Sequence, residues 1–268
     1  MQEEIGKNGN FKVASYNVNS INTRRELVLS WLERNPIDVL CLQELKLPDE
    51  NFPTDDFIKL GYKCYTYGQK TYNGVAICAK LELKEVFRGM GDPIYDEEKR
   101  VIGGRLKDLW IINVYFPHGE ARGGKKFYWK LHFYERFLKF LQERFSPDEK
   151  IILLGDMNVA LEDIDVYDPV LLKDTIGTMQ EERQALRKIL SWGFIDAFRY
   201  LYPQKRQFTW WDYIGGMIWK DQGMRIDYIL ITQPLLPHLR DVYVDMWPRK
   251  RRVPKPSDHA PVIGVFEI

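Results

Sequence analysis

The sequence predicts an α/β protein in which two mixed sheets pack together with helices outside. Short β-branched and apolar runs outnumber helical patterns, the helical patterns are interspersed among them, and several neighbouring strand-like runs have no helix between them. Sheets must bury an apolar face against another layer, and this mixture suits two sheets face to face. No linker composition, low-complexity tract or short repeat divides the chain.

Taken in order, 11–17 alternates as a strand does. Over 23–33, Leu27, Val28, Trp31 and Leu32 recur at helical spacing, with Asn22 or Thr23 as N-cap and Asn35-Pro36 as the stop. The apolar run 37–42 follows turn signals and reads as a buried strand. Strand-like runs continue at 62–67, 75–79, 101–106 and 110–115. An amphipathic helix spans 125–145 and ends near Ser146-Pro147; 150–154 is a β-branched and leucine-rich strand, and 181–190 is helical by spacing. Strands return at 225–231, 242–246 and 262–266.

The 268 residues suffice for a hydrophobic core without metal or disulfide staples. With 45% hydrophobic and 29% charged residues, disordered and collagen-like chains are excluded. No apolar run approaches the ~20 residues of a membrane span. The net charge of +1 argues against a polybasic coat for nucleic acid but leaves room for a local basic face. Residues 1–10 are polar, carry no signal-peptide core and read as a flexible tail, which makes the cytosol the expected compartment. Cys41, Cys64 and Cys78 show no C-x-x-C spacing and are expected as buried free thiols.

The chemistry concentrates where strands stop. The first ends at Asn17 and Asn19, the next at Gln43-Glu44, another at Tyr115, and 151–154 runs into Gly155-Asp156-Met157-Asn158. Asp227 lies inside an apolar run, where a carboxylate needs a partner such as His259 or Arg225. Asp258-His259 precedes the last strand. Singly, Glu44 reads equally as a capping carboxylate, Asp156 and Asn158 as an Asx-turn, and Asp258-His259 as a surface turn. Together they make a set: oxygen donors from Glu44 and Asp258, with Asn17 nearby, suit a hard cation such as Mg²⁺. Asp156 would orient or deprotonate water, and His259, held by Asp227, would stabilise charge on a phosphate. That set points to metal-assisted phosphoester hydrolysis.

The segments Ser15-Tyr16-Asn17-Val18-Asn19, Leu42-Gln43-Glu44-Leu45-Lys46, Asn113-Val114-Tyr115-Phe116-Pro117, Gly155-Asp156-Met157-Asn158, Arg225-Ile226-Asp227-Tyr228 and Pro256-Ser257-Asp258-His259 follow one another in this order. In that order they resemble the exonuclease III family of apurinic/apyrimidinic endonucleases, within the endonuclease/exonuclease/phosphatase superfamily. The resemblance runs from about Phe11 to Ile268 and implies one domain over 11–268, folded as a four-layered α/β/β/α sandwich. It implies Mg²⁺, or Mn²⁺ in its place, held by Glu44 with Asn17 and Asp258 close by and Asp156 and Asn158 available to a second ion. It implies Tyr115 as a phosphate contact, Asp156 and Asn158 at the attacking water, and Asp227 with His259 as a pair.

The Tyr115 segment and the stretch from Phe208 to Asp227 favour the DNA-repair branch, in which Trp210, Met224 and Ile226 would line an apolar pocket for a flipped baseless sugar. Compactness of such a sugar lets a tight pocket reject an intact nucleotide. One of Trp210 and Trp211 is expected in the core, since strand neighbours face opposite ways. Asn73, His118 and Arg122 join the DNA-facing set by the same resemblance. His118 stands where asparagine or glutamine is commoner, and Met224 where some relatives carry tryptophan. Basic clusters, Arg122, Lys125, Lys126 and Lys130, then Arg249 to Arg252 with Lys255, flank the site in sequence and are expected to meet DNA phosphates. The activity implied is incision 5′ to an abasic site in double-stranded DNA by a monomer, leaving a 3′-hydroxyl, with 3′-end trimming. A phosphatase for small or lipid phosphoesters, an endonuclease for other damaged nucleotides, and a DNA-binding relative with a dead site are the alternatives.

Overall fold

A computed structural model describes residues 9–268; apart from Gly9 and Asn10, the expected tail lies outside the described residues. In chain order the elements are β1 (Phe11–Asn17), α1 (Ile21–Arg34), β2 (Val39–Gln43), α2 (Thr54–Lys59), β3 (Lys63–Tyr67), β4 (Val75–Ala79), β5 (Lys84–Arg88), α3 (Pro93–Asp96), β6 (Val101–Leu106), β7 (Leu109–Tyr115), α4 (Lys125–Arg144), β8 (Lys150–Asp156), α5 (Gln180–Gly193), β9 (Phe194–Asp196), α6 (Ala197–Leu201), β10 (Asp227–Thr232), β11 (Leu239–Val244) and β12 (Val262–Phe266). Two six-stranded sheets form, ordered β11-β12-β1-β2-β4-β3 and β5-β6-β7-β8-β10-β9. Each contains one parallel pair, β1 with β2 and β7 with β8, among antiparallel neighbours, so both are mixed as the sequence predicts.

The layers follow from side-chain alternation. Val13, Cys41, Ile77, Ile111, Ile152, Leu154 and Ile229 fill the space between the sheets. The opposite faces of the same strands meet helices: Ala14, Leu40 and Leu42 pack on Val28, Trp31 and Leu32 of α1, and Ile112, Val114 and Leu153 pack on the aromatic face of α4. That face is Phe133, Tyr134, Phe137 and Phe140, and full burial of each such ring contributes about 1.5–3 kcal/mol. Helix α1 starts earlier than its spacing suggests, because Ser20 is the N-cap and accepts from the Thr23 amide.

Two local features aim strand ends at one place. At Gly155 of β8 the φ is +139°, and a Cβ would sit 1.9 Å from the Val114 carbonyl oxygen, so only glycine lets β8 lie so close beside β7. Asn113, buried on β7, donates to the carbonyls of Leu42 and Ala76 at 2.9 Å each and accepts from Gln43 Nε2 at 2.8 Å. This side chain ties one sheet to the other directly behind Glu44. Asn113→Leu strands three buried partners and is expected to destabilise the protein by about 2–4 kcal/mol, read by urea unfolding.

The cysteine expectation is corrected. Cys64 and Cys78 are directly opposed on β3 and β4 and form a disulfide, and Cys41 is the free, buried thiol. Cross-strand register, which the sequence does not display, brings the pair together. Among the described residues no helix is long and apolar enough to cross a membrane.

Candidate active site

The parallel pairs put functional residues at matching heights: Asn17 is level with Gln43, and Tyr115 with Asp156. The antiparallel pairing of β10 with β8 sets Asp227 opposite Asp156. Just past three strand ends the chain turns through left-handed backbone at Asn19, Glu44 and Asn158, with φ of 45°, 54° and 52°. Such residues cost free energy, of order 1–3 kcal/mol each, and persist where the surroundings hold them. Here the Ser20 amide donates to the Glu44 carbonyl at 2.8 Å, and the Asn158 amide to Asp156 Oδ1 at 2.9 Å.

Glu44, Asp156 and His259 converge, each offering a ligand atom within 4.8 Å of the others. Asn17 Nδ2 bridges the carboxylates, donating to Glu44 Oε2 at 2.5 Å and Asp156 Oδ2 at 3.0 Å, while its oxygen accepts from the Asn19 amide. Asn17 therefore faces the carboxylates as a donor and not as an oxygen ligand. Asp227 takes His259 as its partner, Nδ1 to Oδ2 at 2.8 Å, and leaves its other oxygen buried and unpaired. Thr209 Oγ1 accepts from the Asp227 amide, and Ser257 Oγ from the His259 amide.

Burial disfavours the His259 cation, but the carboxylates of Asp227 and Asp156 outweigh it and push the imidazole up to about 10. Asp156 is raised to about 8 by burial, then by Asp227 and Glu44, with His259 pulling the other way. The pocket thus carries an excess of buried oxygen charge, the environment a hard divalent cation relieves; Glu44 and Asp156 fit as its holders. Tyr115, buried under the Arg100 guanidinium, is held well above its usual value by burial and stays a hydroxyl donor. His118 Nδ1 lies 3.4 Å from Asn158 Oδ1, and burial with Lys130 nearby lowers it, which keeps the ring neutral.

Beside this centre, Trp210, Met224 and Ile226 form an apolar cluster with Ala160, Val166 and Leu172. Trp210 and Met224 pair through their backbones, and Trp210 also bridges to His259. Trp211 faces the other way and is fully buried, as alternation requires. Arg225 is not the partner of Asp227; it pairs with Asp165 and Asp196 and locks the start of β10. Despite its burial, Asp165 is held below the ordinary carboxylate value by Arg225 and Arg199. A depressed folded pKa gives stability that is present above the unfolded value of about 3.9 and lost as pH falls through the lower folded value. Acid unfolding of the wild type is expected to steepen below that pH, and Asp165→Asn to flatten this limb, read by circular dichroism from pH 5 downward.

Several expected residues sit differently. Asp258 stands outside the ligand cluster: Trp210 Nε1 donates to Oδ2 at 3.0 Å and Asn19 Nδ2 to Oδ1 at 3.3 Å. Arg122 does not reach the centre; its guanidinium is paired with Glu181 and Asp174. Asn73 contributes a backbone carbonyl, which accepts from the Lys46 amide. Lys130 is no surface cation. Fully buried, it pairs with Glu182 and donates to the carbonyls of His118 and Asn158, while Tyr134 one turn later donates to that of Met157. Helix α4 thereby grips both site loops. Lys46, whose ammonium is 2.6 Å from Asn19 Oδ1, is a further neighbour of Glu44; only its place in the Gln43-Glu44-Leu45-Lys46 run hinted at it.

With this geometry in place, comparison with known proteins identifies its kind. Residues 14–259 match the model of the Endonuclease/Exonuclease/phosphatase family. The chain belongs to this family. Its sandwich is the family fold, and it is a hydrolytic nuclease. Exodeoxyribonuclease III of Haemophilus influenzae is 34% identical over 268 residues, covering 96% of this chain and all of that protein. An AP endonuclease from Archaeoglobus fulgidus superposes with a TM-score of 0.92 at 38% identity, over 96% of this chain and 100% of that one. A 3′ phosphatase from Neisseria, solved with a product DNA hairpin, superposes at 0.89 with 37% identity and the same coverages. Within the family frame, Glu44 and Asp156, with His259 beside them, form the acidic cluster able to hold a metal ion.

Proposed function

We propose that this protein is a Mg²⁺-dependent repair nuclease that cuts double-stranded DNA 5′ to an abasic site, leaves a 3′-hydroxyl, and trims 3′ ends. The observation that carries this reading is the junction of two unlike environments. The buried carboxylate–histidine centre adjoins the apolar cluster of Trp210, Met224 and Ile226, and Asp258 and His259 both touch Trp210. A compact baseless sugar suits that wall, while its phosphate suits the centre.

What the cation supplies when bound is neutralisation of phosphate charge. The side chains do the rest. In the reaction a water oxygen bonds to phosphorus, the P–O3′ bond breaks, and the departing oxygen takes a proton from solvent to become the 3′-hydroxyl. Asp156, level with Tyr115 and opposite Asp227, takes the water proton. Protonated His259 and the Tyr115 hydroxyl donate to the phosphate oxygens as charge grows there. Asp227 fixes the imidazole and keeps it charged. Asn158, tied to Phe116 and beside His118, holds the Tyr115 loop against the Asp156 turn.

The test uses a labelled duplex with one abasic site beside an intact duplex, in Mg²⁺ or in EDTA. Metal-dependent incision at the lesion is expected. Equal cutting of both duplexes overturns the lesion reading, and turnover confined to inositol phosphates or other phosphomonoesters overturns the DNA reading.

A further inference from the structure

A second group of charges lies near Asp258, and the reaction leaves it unused. Arg24, on the buried face of α1, and Arg249 are only 6% and 4% exposed. Among the described residues neither forms an ion pair with a carboxylate. Arg24 donates to Tyr213 Oη at 3.2 Å, and Arg249 to the Trp211 carbonyl at 3.0 Å. The Nε atoms of both arginines, and the hydroxyl of neighbouring Tyr16, are buried with no hydrogen-bond partner. Arg249 also lies 5.5 Å from the Tyr213 ring centre, and Lys255 Nζ is 4.1 Å over the same ring.

Two buried guanidiniums without counter-ions are an unusual arrangement, because an uncompensated buried charge is strongly unfavourable. Asp258 attracts Arg249 only from a distance, and its own oxygens are taken by Trp210 and Asn19. The cluster opens to solvent at half-buried Tyr213 and exposed Lys255. It is anchored to the reaction centre, since Tyr213 Oη donates at 2.7 Å to the carbonyl of Pro256, next to Ser257-Asp258-His259. Planar forked donors in a preformed pair match the oxygens of a phosphodiester.

We propose that Arg24 and Arg249, with Tyr213 and Lys255 at the rim, form a second phosphate site that takes a backbone phosphodiester of the substrate DNA flanking the one that is cut. The inference rests on DNA being the substrate, but not on the lesion. A phosphate held here supplies the missing counter-charge and fixes the register of the strand without reading its sequence.

The test is fluorescence anisotropy with abasic and intact duplexes in EDTA, from 50 to 400 mM salt, on Arg24→Met, Arg249→Met and Lys255→Ala. Each arginine variant is expected to weaken binding about tenfold and to lower the salt slope by about one. Both duplexes lose affinity equally, and kcat at saturating DNA stays within about twofold, as removal of uniform binding requires. Unchanged affinity and slope in folded variants overturn the proposal. So does loss of a thermal shift caused by inorganic phosphate with DNA affinity intact, which would make this a site for free phosphate. Should an arginine variant fail to fold, Arg24→Lys, Arg249→Lys and the exposed Lys255→Ala decide, because each must still weaken DNA binding. If the lesion reading fails, abasic and intact duplexes are cut alike while the arginine effects on binding persist.

Discussion

His259→Ala is expected to lower kcat by about a thousandfold or more and, because one positive charge facing the phosphate has gone, to weaken DNA binding in EDTA. The imidazole is buried, braced by Asp227 and pressed against Asp156, so its removal takes away the charged donor that meets the phosphate as negative charge grows. It also strands Asp227, one of whose oxygens already has no partner. A further loss of stability of about 1–3 kcal/mol accompanies the kinetic one. Asp227→Asn separates the roles. It keeps the shape but removes the charge that holds the proton, so the imidazole pKa of about 10 falls toward its ordinary value in an NMR titration of metal-free protein. The sign is fixed by linkage. A raised histidine pKa gives stability that is complete below about 6.5 and lost as pH rises through the folded value. Metal-free wild type is therefore expected to weaken between pH 7 and 10 by more than Asp227→Asn does. Equal slopes would remove the ion pair from the account.

Glu44→Gln is expected to abolish measurable Mg²⁺ binding in calorimetry and to cut nuclease turnover by about a thousandfold or more. Its carboxylate shares the Asn17 amide with Asp156, and no other acidic side chain joins that cluster among the described residues. The same substitution removes one of the charges that raise Asp156, so the Asp156 carboxyl is expected to titrate below its wild-type value of about 8. In EDTA the variant should bind DNA more tightly than the wild type, because one negative charge facing the phosphate has gone. A folding defect would weaken binding instead, and anisotropy in EDTA tells the two apart.

Much of this was legible in the sequence where local pattern and tertiary need agree. The long buried strands, such as Lys150–Asp156 and Val262–Phe266, announce themselves by apolar runs, and their polar ends mark the site. Lys84–Arg88 and Phe194–Asp196 escape, because one is an edge strand with exposed lysine and glutamate and the other is three residues long. The pairing of Asp227 with His259 was one of two options that composition allowed; only the fold sends Arg225 to Asp165 and Asp196. Burial of Lys130 was hidden because its partner Glu182 lies 52 residues away on another helix. For the same reason a basic run near the Tyr115 loop looked like one surface, yet Lys130 is a buried clamp and Arg122 is ion-paired, while Lys125 and Lys126 are exposed.

The centre joins parts of the chain that are made at very different times. Asn17 meets Asp156 across 139 residues, and Ser257 reaches back 240 residues to the Asn17 carbonyl. Strand β1 also waits for β12 as its neighbour. During synthesis the first strand therefore emerges long before the segment that closes the centre, and a nascent chain without Ser257 to His259 has no assembled centre with which to cut. Nuclease activity therefore waits for the segment that carries His259.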